Sequence, residues 1–214
     1  MVIKAIIFDL DGVLVFTDKY HYQAWKMLAD KENIYFDEKI NNRLRGVSRM
    51  ESLAIILEKA SRIYSSNEKV DLATWKNDQY RQLLKNMSPQ DVAPSVMAAL
   101  KKMRLQGIRL AIGSSSKNAK EILNRTGIRD LFDVVSDGTN IHNSKPDPEV
   151  FIKAAEMLNL DPQECIVVED ALAGITAAKA GGFIAAGIGD AYTDPRADIR
   201  ITKIEDLLTY ILIK

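Results

Sequence analysis

The stretch that most constrains the fold of this chain is residues 6–14, Ile-Ile-Phe-Asp-Leu-Asp-Gly-Val-Leu, in which Asp9 and Asp11 follow an apolar run. A short run of this kind is typical of a strand buried on both faces of a parallel sheet. Aspartate is a poor strand former, so the two acids mark where the chain leaves the sheet. Ligands of open α/β sheets bind at the carboxyl ends of strands, and a site is therefore predicted here. A solvated acidic turn is the alternative that this segment alone leaves open.

Composition excludes several classes of protein. The 214 residues are 47% hydrophobic, and Lys+Arg and Asp+Glu both number 29, so the net charge is zero. We therefore expect no nucleic-acid partner and no membrane partner. No apolar run reaches the length of a membrane span. The single cysteine, Cys165, lies in an apolar run and indicates a buried thiol in a reduced compartment. We expect a cytoplasmic enzyme, acting as a monomer.

The order of predicted elements indicates two domains. After the first strand, helical periodicity continues for about 75 residues, with helices predicted at 20–31, 37–45, from 48 onward and at about 72–86. Strands then alternate with helices: strands at 108–112, 132–135, 166–168, 183–186 and 198–201, and helices at 94–106, 118–126, 149–158, 171–180 and 204–212. Four consecutive helices do not fit this alternation. The prediction is a doubly wound, Rossmann-like α/β core with a parallel sheet (1–15 and 88–214) and an inserted four-helix cap (16–87).

Other predicted strands also end in residues suited to phosphate chemistry. The 108–112 strand leads into small hydroxyl residues that open a helix, where backbone N–H groups favour an anion: Ser114, Ser115, Ser116, Lys117 and Asn118. An N-cap cluster is the alternative for this segment. In a later loop, Pro146 restricts the backbone of Lys145, although an ordinary surface lysine is the usual case. The 166–168 strand ends in Glu169 and Asp170, for which a helix N-terminal position is the alternative.

These segments are predicted to meet in one pocket. The pocket would contain four carboxylates, from Asp9, Asp11, Glu169 and Asp170. Four acids so close do not all stay ionised without a cation, and an all-oxygen set suits Mg²⁺. The sequence offers no His or Cys cluster for zinc.

The order and content of these segments resemble the haloacid dehalogenase-like superfamily of phosphotransferases. Asp9-Leu10-Asp11-Gly12, Ser114, Lys145 and Glu169-Asp170 match its four motifs in order. The resemblance implies that Asp9 is a nucleophile forming an aspartyl-phosphate and that Asp11 is a general acid/base. It also implies that Ser114 and Lys145 hold the transferring group. Mg²⁺ would be bound by Asp9, the Asp11 carbonyl and Asp170, with Glu169 in or near the coordination shell.

The predicted cap narrows the resemblance to the sugar phosphomutases of this superfamily through segments 21–25, 44–52 and 76–78, and core segments 114–118 and 144–146 share this likeness. This likeness implies an isomerase that interconverts β-D-glucose 1-phosphate and glucose 6-phosphate through glucose 1,6-bisphosphate, which acts as intermediate and activator. Arg49 is the candidate clamp for the second phosphate, since a guanidinium grips phosphate bidentately. The implied substrate contacts are Thr17, His21, Trp25, Arg45, Gly46, Val47, Ser48, Arg49, Ser52, Lys76, Ser115, Ser116, Lys117 and Asn118.

Several cap residues could instead have purely structural roles. Arg49 and Lys76 could lie on the surfaces of their helices. His21 could make a local hydrogen bond, and Trp25 could fill the interior of the cap. Phe16 departs from the family pattern, which has an acid there, and this departure bears on the hinge between core and cap.

Two other functions are alternatives to the mutase. A sugar-phosphate phosphatase shares the first half-reaction, but it needs no second phosphate clamp such as Arg49. A receiver-like signalling module phosphorylated on Asp9 gains nothing from Asp11, because an acid there hastens loss of the phosphate.

Overall fold

The centre of the structure, a computed structural model that describes residues 2–44 and 47–211, is a parallel sheet of six strands. The strands are ordered β3-β2-β1-β4-β5-β6, all pairs being parallel. This is the doubly wound, Rossmann-like order, and the predicted fold class is confirmed. The strands are β1 (Ala5–Phe8), β2 (Arg109–Gly113), β3 (Val134–Ser136), β4 (Cys165–Glu169), β5 (Ile184–Gly187) and β6 (Ile199–Arg200).

Helices connect these strands and also form the segment between β1 and β2. They are α1 (Asp18–Lys31), α2 (Glu38–Asn42), α3 (Arg49–Leu57), α4 (Ser66–Leu84), α5 (Pro94–Leu105), α6 (Ala119–Arg125), α7 (Glu149–Leu158), α8 (Leu172–Ala180) and α9 (Leu208–Ile211). Short 3₁₀ turns lie at Pro89–Asp91, Arg129–Leu131, Pro162–Glu164, Gly189–Thr193 and Ile204–Leu207. No helix in the described ranges is both long and apolar enough to cross a membrane.

The chain divides into two compact units, Met1–Phe16 with Met87–Lys214, and Thr17–Asn86. These boundaries each lie one residue from the predicted ones. We refer to the first unit as the core and to the second as the cap; the assignment of catalysis to the core stays a prediction.

The interior of the core is built on the apolar strands that the sequence predicted. All of β1 is fully buried, and Ile7 of β1 and Val167 of β4 pack in one cluster with Phe151 of α7 and Ile175 of α8. Cys165, in β4, is a buried free thiol, as predicted, and burial raises its pKa to about 12. This sheet supplies the rigid frame from whose strand ends the polar groups project.

The cap has its own apolar interior, and capping boxes set the starts of α3 and α4. Ser48 and Glu51 form the predicted box at α3. A second box, between Ser65 and Glu68, starts α4 at Ser66, whereas the prediction placed the start near 72. The first turn of α4 is polar and lacks an apolar stripe. The start of this helix is therefore determined by the Ser65–Glu68 capping box and not by hydrophobic periodicity.

Three smaller predictions differ at the ends of elements. The first strand begins at Ala5 because Val2 is exposed. The predicted 204–212 helix is a 3₁₀ turn followed by α9, and residue 212 lies outside the described residues. The second helix ends at Asn42, with Asp37 as its N-cap, and Arg45 is again outside the described residues.

Candidate active site

The register of the sheet brings the predicted core residues to one edge. Phe8, the last residue of β1, pairs with Ile112 of β2 on one side and with Val168 of β4 on the other. Asp9, the first residue after β1, therefore lies at the level of Gly113 and Glu169, the last residues of β2 and β4, and the Asp9 amide donates to the Val168 carbonyl at 2.9 Å. β1 and β4 are the pair at which the strand order reverses, which is where open α/β sheets bind ligands.

Lys145 is the cation at this edge. Its ammonium donates to Asp9 Oδ1 at 2.5 Å and to Glu169 Oε1, and it lies 4.7 Å from the centroid of the Phe151 ring. Burial alone lowers the pKa of Lys145, but the carboxylates of Asp9 and Glu169 outweigh burial and hold the pKa above its ordinary value. Lys145 is therefore no ordinary surface lysine, and it stays charged beside Asp9.

Residues 114–118, which we call the serine loop, follow β2. The Ser114 hydroxyl accepts from the Ser116 amide at 3.2 Å, and the Ser116 hydroxyl accepts from the Asn118 amide at 3.2 Å. The Ser115 hydroxyl accepts from the backbone N–H of Lys145 at 3.3 Å. Asn118 precedes α6 without a side-chain capping bond, so the N-cap alternative does not describe this loop. The serine hydroxyls instead order the loop and connect it to Lys145.

The acid pair that ends β4 divides into two roles. Glu169 is bound through both oxygens, since Oε2 accepts from the Ala171 amide at 3.2 Å while Oε1 accepts from Lys145. Gly174 makes room for this carboxyl: a Cβ there would lie 1.9 Å from Glu169 Cδ. Gly174 is not among the predicted site residues, although a glycine in the first turn of a helix is a usable signal.

Asp170 lies buried beside other acids. Burial, and then the charges of Asp9 and Glu169, raise the pKa of Asp170 to about 8. Its carboxyl packs against Gly12, which has a φ of +86°, and a Cβ on Gly12 would lie 2.0 Å from Asp170 Oδ2. The turn after Asp11 therefore requires glycine for two reasons, its backbone conformation and the approach of Asp170.

The side chains alone do not define a metal centre. Among residues 2–44 and 47–211, no three His, Cys, Asp or Glu side chains are grouped so as to hold an ion. Glu169, predicted in or near the coordination shell, contacts Lys145, which also contacts Asp9. The metal roles of Asp9, Asp11, Glu169 and Asp170 stay predictions.

The cap contains a second group of predicted residues, the cap cluster, formed by Thr17, His21, Trp25, Lys76 and Tyr80. Lys76 is only 2% exposed, and its Nζ lies 2.9 Å from His21 Nδ1 and 4.4 Å from the centroid of the Trp25 ring. The Tyr80 hydroxyl donates to Thr17 Oγ1 at 3.0 Å, and its ring stacks on His21 at 4.0 Å. The surface alternative for Lys76 is therefore wrong.

Two aromatic residues complete the cap cluster. Trp25 is 3% exposed and belongs to the apolar interior of the cap, with its ring against Lys76, and its role as a substrate contact stays a prediction. Tyr80 was not predicted, but it lies one helical turn after Lys76 on α4, a spacing that places both on one face.

Arg49 is the first residue of α3 and is held in place by the cap. Its guanidinium donates to Asn77 Oδ1 at 2.8 Å, and burial lowers its pKa. Ser48 uses its hydroxyl in the capping box, while Ser52, one turn later, is buried. Val47 is partly exposed, and the predicted contacts Arg45 and Gly46 lie outside the described residues.

The buried Lys76 predicts a pH-dependent stability. Burial, and then the charge of Arg49, lower the pKa of Lys76 from 10.5 to about 7. Because this pKa is below its unfolded value, the penalty for burying the charge is fully present below pH 7 and is relieved as the pH rises toward the unfolded value. Lys76→Met should therefore raise the melting temperature by at least about 3 °C more at pH 6 than at pH 10. Calorimetry with the exposed Lys59→Met as control checks this, and equal shifts at both pH values would contradict it.

Together the doubly wound sheet, the Asp9–Lys145–Glu169 contact and the serine loop describe an α/β enzyme that acts on phosphate groups. A family model for haloacid dehalogenase-like hydrolases matches residues 3–182, and the chain belongs to this family. The predicted resemblance is thereby confirmed.

Individual relatives include both mutases and phosphatases. The chain is 40% identical over 211 residues to a β-phosphoglucomutase of Bacillus subtilis (strain 168), covering 98% of this chain and 93% of that protein. It is 34% identical over 184 residues to a phosphorylated carbohydrates phosphatase of Thermotoga maritima, covering 84% of this chain and 82% of that protein. The crystal structure of a β-phosphoglucomutase from Clostridium difficile superposes with a TM-score of 0.87 at 40% identity, covering 98% of this chain and 96% of that one.

Proposed function

We propose that this enzyme is a phosphomutase that interconverts β-D-glucose 1-phosphate and glucose 6-phosphate through glucose 1,6-bisphosphate. The observation that carries the proposal is the Asp9–Lys145–Glu169 contact in a chain 40% identical to a β-phosphoglucomutase along 98% of its length. The cytoplasmic location and the monomeric state stay predictions.

Asp9 and Asp11 divide the chemistry between them. An Asp9 carboxylate oxygen forms a bond to phosphorus while the bond from phosphorus to the sugar oxygen breaks. Asp11 gives a proton to that leaving oxygen, and in the second half-reaction it takes a proton from the attacking hydroxyl. One step transfers the phosphoryl group from sugar to Asp9 and the other transfers it from Asp9 to a sugar hydroxyl, so no water is consumed.

Lys145 and the serine loop stabilise the transferring group. The Lys145 ammonium, 2.5 Å from Asp9, supplies positive charge to the equatorial oxygens of the transferring phosphoryl group, and Ser114 supplies a hydroxyl donor. Glu169 keeps Lys145 in this position. Because these groups are held before substrate arrives, little reorganisation is needed at the moment of transfer.

The donor set fits Mg²⁺. Burial, and then the negative charges of Asp9 and Glu169, raise the pKa of Asp170, and Gly12 leaves space against its carboxyl. We infer that Asp9, Asp170 and the backbone carbonyl of Asp11 bind the ion, all through oxygen. When bound, Mg²⁺ supplies the positive charge that offsets the phosphate.

The metal assignment predicts that chelation abolishes activity and that Mg²⁺ restores it better than Zn²⁺. Treatment with EDTA should reduce turnover to background, Mg²⁺ should restore it, and Zn²⁺ should restore little because the donors are oxygens without His or Cys. Turnover is measured after dialysis with each ion added back. Full activity after exhaustive chelation would contradict the metal assignment.

The role of Asp11 predicts a slower but not abolished reaction. Asp11→Asn should lower kcat by about 10²–10⁴, the usual range for a positioned general acid/base. Hydrolysis of the phospho-enzyme should slow as well. An unchanged pH–rate profile in this variant would remove Asp11 from the proton transfers.

The non-transferring phosphate needs its own site, and Arg49 is proposed to bind it. Its burial and its bond to Asn77 hold the guanidinium in one geometry, which favours bidentate phosphate binding. The remaining cap and serine-loop residues of the predicted substrate site stay proposed contacts, namely Thr17, His21, Trp25, Arg45, Gly46, Val47, Ser48, Ser52, Lys76, Ser115, Ser116, Lys117 and Asn118.

A sugar-phosphate phosphatase is the second candidate, favoured by the Thermotoga relative. Both candidates require a covalent phospho-enzyme on Asp9. Trapping with radiolabelled glucose 1,6-bisphosphate, followed by peptide mapping, should place the label on Asp9. Label on another residue, or none, would contradict the shared mechanism.

A further inference from the structure

Asp137 is a fully buried carboxylate outside the motifs described above. It follows β3 directly, and its Oδ1 accepts from the Thr139 amide at 2.9 Å and from the Thr139 hydroxyl at 2.5 Å. Its own amide donates to Asn140 Oδ1 at 2.9 Å. Its Oδ2 has no hydrogen-bond partner within the described residues and lies 3.7 Å from Lys120 Nζ. Burying a carboxylate is costly, so its place at the catalytic edge of the sheet requires an explanation.

Asp137 organises a tight turn of residues 136–140, which we call the Asp137 turn, and this turn contacts the serine loop at two points. The Ser114 amide donates to the Ser136 carbonyl at 3.1 Å, and the Gly138 amide donates to the Ser116 carbonyl at 3.2 Å. The approach is close, since a Cβ on Gly138 would lie 2.4 Å from the Ser115 carbonyl oxygen. The backbone of the serine loop therefore follows the position of the Asp137 turn.

The serine loop in turn contacts Lys145, which lies beside Asp9. The Ser115 hydroxyl accepts from the Lys145 amide, and Lys145 contacts Asp9. We propose that Asp137 is a positioning residue for phosphoryl transfer, which fixes the Ser114 hydroxyl and Lys145 relative to Asp9 by fixing the Asp137 turn. This inference rests on the proposed function, because it assumes that the serine loop and Lys145 hold the transferring group.

The same strand supplies a matched control. Asp133, just before β3, also cross-links β3 to its neighbours: its Oδ2 accepts from the Leu110 amide at 2.8 Å and from Arg104 at 2.9 Å. Asp133 lies at the amino end of the strand, away from the serine loop. Loss of either carboxylate weakens the packing of β3, but only loss of Asp137 releases the serine loop.

The test compares Asp137→Ala with Asp133→Ala in the full chain. The readouts are melting temperature, kcat and KM for phospho-enzyme formation from acetyl phosphate, and inhibition by orthovanadate. We expect both variants to lose thermal stability. Asp137→Ala alone should lower kcat by about tenfold to a hundredfold, the effect of a small misplacement of reacting groups, and should weaken vanadate inhibition similarly. Asp137→Asn, which keeps the Oδ1 acceptor, should retain most of the activity.

A second variant keeps the test decisive if Asp137→Ala does not fold. Gly138→Ala leaves Asp137 in place but displaces the Ser115 carbonyl, and it should lower kcat in the same way. Equal kinetics in Asp137→Ala and Asp133→Ala, or unchanged kinetics in Gly138→Ala, would overturn the inference. If the unaltered enzyme forms no phospho-enzyme, the proposed function fails and this inference fails with it; if it does, a negative result concerns Asp137 alone.

Discussion

Replacing Asp9 by Asn should reduce turnover to background, the largest effect expected of any single substitution in this chain. The amide is a poor nucleophile and forms no aspartyl-phosphate. The change also removes one of the two carboxylates that hold the Lys145 ammonium. The measurements are kcat with β-glucose 1-phosphate and, separately, incorporation of label from glucose 1,6-bisphosphate.

The fold should survive this change. Asparagine is nearly isosteric with aspartate, and the backbone bond from residue 9 to the Val168 carbonyl does not involve the side chain. Circular dichroism and thermal unfolding serve as the control for folding. Substantial turnover by a folded Asp9→Asn variant would mean that the covalent route is wrong.

Replacing Arg49 by Ala should lower mutase flux by orders of magnitude while leaving phospho-enzyme formation from acetyl phosphate almost intact. The bisphosphate must stay bound while it reorients, and Arg49 is proposed to hold the phosphate that is not transferred. A charge-assisted contact contributes roughly 1.5–3 kcal/mol, so a loss of about tenfold is the minimum expected. The two half-reactions are measured separately by rapid quench.

Two further variants separate phosphate binding from cap stability. Arg49→Lys should rescue only in part, because the ammonium keeps the charge but loses the bidentate geometry. Asn77→Ala removes the acceptor of the Arg49 bond and leaves the guanidinium, so its effect should be smaller than that of Arg49→Ala. Equal losses in both half-reactions would assign Arg49 to the stability of the cap, and no loss in either would favour the phosphatase.

The strand ends were predictable from the sequence because buried parallel strands are continuous apolar runs. The runs that contain Phe8, Ile112 and Val168 are of this kind, and the register of the sheet then brings Asp9, the serine loop and Glu169 to one edge. The position of Lys145 was predictable only from the order of the motifs, because Lys145 lies in a loop and loops have no hydrophobic periodicity.

Side-chain partners were harder to predict because they depend on tertiary geometry. Glu169 pairs with Lys145 only because β4 lies beside β1, and nothing local in the sequence distinguishes this pairing from metal binding. Tyr80 and Asp137 were missed for the same reason. Both are defined by contacts across the fold, with Thr17 in the cap and with the serine loop in the core.

The phosphomutase reaction is tested most directly by the fate of the phosphoryl group during turnover. The enzyme is incubated with β-glucose 1-phosphate, Mg²⁺ and a catalytic amount of glucose 1,6-bisphosphate, and ³¹P NMR follows glucose 6-phosphate and inorganic phosphate together. A phosphomutase should convert the substrate to glucose 6-phosphate with inorganic phosphate only a minor product. Inorganic phosphate as the main product would contradict the mutase and identify a phosphatase.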